Sequence, residues 1–333
     1  MNRKELDAFV EHHGLARPAI KTALELANAI PTAEELRRFS IRLLQVAGVL
    51  SLSAGIVFFV AANWEALAVL GRFVLVEGVL ALSIVVALWK PPPLKVGRYA
   101  LLLAFIVTGA LLALVGQTYQ TGADVYELFL MWALLGSVFA VAGWWSVTWA
   151  AWLLVLNAAL WLFCGWRPAT GLLWIIFAGW GLDPVLLLLV AMIVDVLLWL
   201  ASTRLERTRF APLAPPWLGR LALAFAIAFG TWTGIFVIVG FGDGPYQGLA
   251  FLGLVLLLAG IAAYALHRRR DVFPLAAVSG CTIILVTTAM LRYFDFEEGT
   301  FLFVTLWLIG SSTVSGRVLM SFVRAWRPAE DEA

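Results

Sequence analysis

Cysteine, histidine and charge are all scarce in this chain. Only Cys164 and Cys281 occur among 333 residues, the second in the middle of an apolar run. Neither a disulfide framework nor a CxxC metal or redox motif is therefore expected. His12, His13 and His267 show no HExxH spacing and have no cysteine partner, which argues against a zinc site. The run GFGDGPYQG, Gly240 to Gly248, lacks the Lys-Ser/Thr ending of a phosphate loop and follows no strand, so it reads as a turn. No Ser, His and Asp or Glu set falls on one face as a hydrolase requires. No catalytic residue, metal or cofactor is expected, and the chain is read as not an enzyme. Charged residues make up 13% of the sequence and the net charge is +2. The basic residues form short clusters instead of a stripe, so no nucleic-acid partner is implied.

What is abundant is apolar sequence. Hydrophobic residues account for 62% of the chain, far above the share of a soluble domain. Apolar runs of about 20 residues, the length that crosses a bilayer core, recur from Leu43 almost to the C-terminus. The fold class expected is an all-α polytopic integral membrane protein. Ten spans are placed at 43–62, 67–89, 99–118, 125–143, 145–164, 183–202, 219–240, 249–266, 272–291 and 300–316. With both termini in the cytoplasm, 20 of the 23 Lys and Arg fall on the cytoplasmic side, and only Arg72, Arg167 and Arg292 do not. This positive-inside asymmetry points to a multi-pass protein of the cell inner (cytoplasmic) membrane. No cleavable signal peptide is recognisable, because the first 42 residues are polar and the first apolar run lacks a small-residue cleavage pattern.

The organisation expected is a cytoplasmic helical segment over 1–42, a first membrane bundle over 43–202, a Pro/Arg-rich cytoplasmic loop over 203–218, a second bundle over 219–316, and an interfacial basic helix with an acidic tail over 317–333. In the first segment Leu6, Phe9 and Val10 share a face, and Thr32 with Glu35 forms a capping-box pattern. Residues 171–181 are read as re-entrant or interfacial, since a full crossing there would reverse the charge asymmetry beyond it. Trp64, Trp89, Trp144, Trp145, Trp166, Trp217 and Trp326 lie near span ends and read as belt anchors.

Polar residues inside such a chain carry the functional signal. The topology puts NWEAL, Asn63 to Leu67, on the outer face together with GQTYQTGADVYE, Gly116 to Glu127. A polar site is expected there from Asn63, Trp64, Glu65, Arg72, Gln117, Tyr119, Gln120, Asp124 and Glu127. Arg72 is the cation available to Asp124 or Glu127, and Asp124 is also placed to cap the fourth span. The plainer reading is that these groups solvate a turn and cap a helix. Glu77 and Asp195 each lie 12 residues from an acidic residue at a span end, near the bilayer midplane. Acids at that depth are protonated, paired or turned toward water, and both are candidate coupling carboxyls.

FVAANWEAL, Phe59 to Leu67, together with GQTYQTGADVYELFLMWALLG, Gly116 to Gly136, resembles the signature of domain of unknown function 2157, a bacterial membrane-protein family. The resemblance covers roughly residues 1–145. It implies membrane location and a cytoplasmic helical segment before the spans, and it implies no activity. The reading that follows is a transporter-like or permeation protein for an unknown small solute or ion, in contact with membrane lipids. The rival is a non-transporting scaffold or sensor that recruits a cytoplasmic protein through residues 1–42.

Overall fold

The computed structural model describes residues 30–120, 122–165, 184–240, 246–294 and 298–326. The helices expected before residue 30 and the re-entrant segment expected over 171–181 lie outside the described residues. The chain divides into two units, residues 1–68 and 69–333.

In the first unit, α1 (Ala33–Ala62) starts at the expected capping box. Glu35 N–H donates to the Thr32 hydroxyl at 3.2 Å, and Thr32 N–H donates to the Glu35 carboxylate at 2.9 Å. These two bonds satisfy donors that no helical turn can reach. Glu34 pairs with Arg37 and Arg38, both at 2.9 Å. The helix stops at Asn63, whose side-chain amide donates to the carbonyl of Phe59 at 2.8 Å.

The second unit contains α2 (Val69–Trp89), α3 (Lys95–Tyr119), α4 (Val125–Gly143), α5 (Ser146–Gly165), α6 (Pro184–Leu205), α7 (Pro216–Val239), α8 (Gln247–Tyr264), α9 (Val272–Tyr293) and α10 (Glu298–Trp326). Three prolines, Pro91 to Pro93, separate α2 from α3, as expected where a helix cannot continue. Pro216 opens α7, and Gly240 closes it in the left-handed conformation that glycine adopts without steric cost. A five-residue π-helical turn, Ala265–Arg269, extends α8. Asp271 then caps α9 by accepting from Phe273 N–H at 3.0 Å. The basic stretch after residue 316 continues α10 without a break as far as Trp326.

All ten expected spans are present as helices long and apolar enough to cross a membrane, and no strand occurs among the described residues. The protein is therefore an all-α polytopic membrane protein. Large apolar side chains such as Leu88, Leu134, Val138 and Leu256 are exposed along the helices, the surface that lipid requires.

Two helices organise the second unit. α7 packs against α5, α6, α8 and α9, around a core that includes Met192, Leu223, Phe229 and Leu254. Cβ atoms at Gly230 and Gly234 would press on Met192 and Leu285, so these small residues let the neighbours close in. α3 packs against α2, α4 and α5. Indole groups tie this part together: Trp132 of α4 donates to the carbonyl of Phe105 on α3 at 2.8 Å, and Trp152 of α5 donates to that of Ala133 on α4 at 2.9 Å. These tryptophans are interior helix ties, distinct from the belt positions visible in sequence. α10 packs on α9, where the hydroxyls of Ser279 and Ser315 meet.

Candidate functional site

The turn between α3 and α4 is built by backbone geometry that few residues accept. Gln120 ends α3 in the left-handed region, with φ 45° and ψ 51°. Gly122 is also left-handed at φ 67°, and Asp124 then returns to extended backbone before α4 begins. A non-glycine residue in the left-handed region stores about 1 kcal/mol or more of strain.

A groove of about 560 Å³ opens between the end of α3 and the start of α4, lined by Gln117, Gln120, Asp124, Glu127 and the apolar Leu128 and Met131. Four of the expected site residues thus share one surface. Helical rotation explains which do. Gln117 and Gln120 are three residues apart and lie on the same side, whereas Tyr119 is turned by about 200° from Gln117. Tyr119 is exposed and its ring lies 6.0 Å from that of Phe73 on α2, outside the groove lining. Arg72 precedes Phe73 on the first turn of α2.

The carboxylates are held differently. Tyr126 is buried, its hydroxyl donates to Glu127 Oε1 at 3.1 Å, and its ring packs 5.1 Å from Phe163 of α5. Asp124 stands at the N-cap position of α4, but its side chain accepts no bond from the first-turn amides; Glu127 N–H donates instead to the backbone carbonyl of Asp124 at 3.0 Å. The expected side-chain cap is not made. Asp124 Oδ2 is buried and has no hydrogen-bond partner among the described residues. The Asp124 oxygen left without a donor among the described residues, set beside Glu127 and the groove amides, suits a ligand that donates hydrogen bonds or carries positive charge.

Asn63, Trp64 and Glu65 belong to the first unit, where Asn63 ends α1 as described. Glu77 and Asp195 are not brought together. Glu77 is exposed on α2, whereas Asp195 is fully buried on α6 and accepts from Asn157 Nδ2 of α5 at 3.1 Å. Sequence reading missed Asn157. The signal was available as a lone amide in the apolar run WAAWLLVLNAALWLF, Trp149 to Phe163. Among the described residues no three His, Cys, Asp or Glu side chains gather as a metal site would require. Cys164 and Cys281 are both buried free thiols.

No curated protein and no solved structure matches this chain. Residues 8–149, which include both the Asn63 to Leu67 turn and the groove-forming stretch after Gly116, match the family described as Predicted membrane protein (DUF2157).

Proposed function

We propose that this protein binds a small solute bearing a positive or hydrogen-bond-donating group at the α3–α4 groove, as the vestibule of a permeation or transport route. The observation that carries this reading is the buried Asp124 Oδ2, without a hydrogen-bond partner among the described residues, in a groove shared with Gln117, Gln120 and Glu127. An acceptor kept from water costs free energy unless something donates to it. The coupling role expected of Glu77 and Asp195 gains nothing from their separate placement, and the reading rests on the groove. It assigns the chain no catalytic step. It puts the groove on the outer face of the inner membrane with both termini in the cytoplasm, supported by the distribution of Lys and Arg.

The test is a titration of the purified protein with sodium, potassium, choline and putrescine, following the unfolding midpoint, which a bound ligand raises. A probe that stabilises the wild type and loses that effect in both Asp124→Asn and Glu127→Gln supports the site. Flux of the same probe into proteoliposomes then tests permeation. Equal responses of wild type and both variants overturn the groove assignment, and binding without flux overturns the transport part alone.

A further inference from the structure

The pair Asn157 and Asp195 raises a second question of hydrogen-bond accounting, away from the groove. Asp195 is 0% exposed and Asn157 is 3% exposed. Asn157 Nδ2 spends its two hydrogens on the backbone carbonyl of Leu153 at 3.0 Å and on Asp195 Oδ1 at 3.1 Å. That leaves two buried acceptors, Asn157 Oδ1 and Asp195 Oδ2, each without a partner among the described residues. They sit on the two side chains already joined by a hydrogen bond.

An ionised carboxylate here would be held by a single side-chain amide donor inside a membrane-spanning core. Burial of a charge so poorly compensated is costly, and a group in that position takes up a proton instead. A carboxylic acid has what the carboxylate lacks, a donor. With a proton on Oδ2, Asp195 donates to Asn157 Oδ1 while Asn157 Nδ2 donates to Asp195 Oδ1. One proton then satisfies both orphaned acceptors and closes a reciprocal acid–amide ring between α5 and α6.

We propose that Asp195 is a resident proton site: a neutral carboxylic acid paired reciprocally with Asn157, joining α5 to α6 within the membrane. The proton is part of the packed structure. Asp195 in this state supplies no fixed negative charge to a solute. The inference is independent of the groove reading, since Asp124 and Glu127 take no part in it.

Infrared spectroscopy of the bilayer-reconstituted protein at neutral pH tests it, because a protonated carboxyl has a carbonyl stretch separate from the bands of a carboxylate. With aspartate isotopically labelled, the wild type is expected to show one protonated-carboxyl band that disappears in Asp195→Asn and shifts in Asn157→Leu. Asp195→Asn restores the same two-way ring with an amide, so its unfolding midpoint is expected to match the wild type. A carboxylate band assigned to Asp195 overturns the proposal, whether or not it responds to added sodium or potassium. So does a large rise in stability of Asp195→Asn, which would mean that a costly buried charge had been removed. If Asp195→Asn fails to fold, the shift expected in Asn157→Leu still assigns the band to the acid beside Asn157, and a band that does not move overturns the proposal.

Discussion

The indole N–H of Trp132 on α4 donates to the backbone carbonyl of Phe105 on α3 across 2.8 Å, and their rings lie 5.7 Å apart. Each ring also lies against a glycine of the opposite helix. A Cβ at Gly109 would overlap Trp132, and one at Gly136 would overlap Phe105. The two helices therefore dovetail, and this interlock fixes the register of the hairpin whose end carries the groove. Lipid is as apolar as these side chains, so close packing and the buried hydrogen bond hold the pair together, with no contribution from water exclusion.

Gly109→Ala and Gly136→Ala are expected to destabilise the protein by about 1–3 kcal/mol each, because a rigid ring has to move. Trp132→Phe keeps a ring but loses the donor, and should cost about 1 kcal/mol. Unfolding in mixed detergent measures all three. Glycine variants as stable as the wild type would show that the interlock does not bear on stability.

Gln120→Gly is expected to stabilise the protein by about 1 kcal/mol, since glycine accepts the left-handed backbone at the end of α3 without a Cβ penalty. The same change removes an amide from the groove and should weaken any groove ligand. A gain in unfolding midpoint together with a loss in ligand-induced shift would separate strain from recognition at this position.

Arg269 on the π-helical turn donates to Glu206 just beyond α6 at 2.6 Å, and both side chains are about 15% exposed. Removing one partner of a largely buried ion pair leaves the other uncompensated, so Arg269→Met should cost about 2–4 kcal/mol. The neighbouring Arg268 is exposed, and Arg268→Met should change little. Glu206→Met combined with Arg269→Met should recover part of the loss. A double variant as unstable as the sum of its singles would deny the coupling.

Thr32→Ala should loosen the first turn of α1 by about 1 kcal/mol through loss of the capping box. Amide hydrogen exchange at Glu35 and Leu36 reads this locally. Unchanged exchange there would mean that the first turn is held by other contacts.

Some of this was written plainly in the sequence, and some was not. The ten helices were legible because a bilayer demands long apolar runs and the chain supplies them between charged clusters. The groove was legible because Gln117, Gln120, Asp124 and Glu127 are close neighbours along the chain, gathered by one turn. Glu77 and Asp195 show the limit. Counting residues at about 1.5 Å each gives depth along a helix but not the direction a side chain faces. Direction depends on which neighbour the helix packs against, and it left Glu77 exposed and Asp195 buried. The partner of Asp195 was hidden for the same reason, since Asn157 lies 38 residues away on another helix.

The order of that last pair along the chain has a consequence for biosynthesis. Synthesis runs from the N-terminus, so α5 enters the membrane before α6, and α7, whose residues form much of the core around α6, enters after both. Asp195 thus arrives in the bilayer while part of its eventual cover is still being made. Asn157 is already there, and it can hold the acid during the interval in which the nascent chain is half assembled.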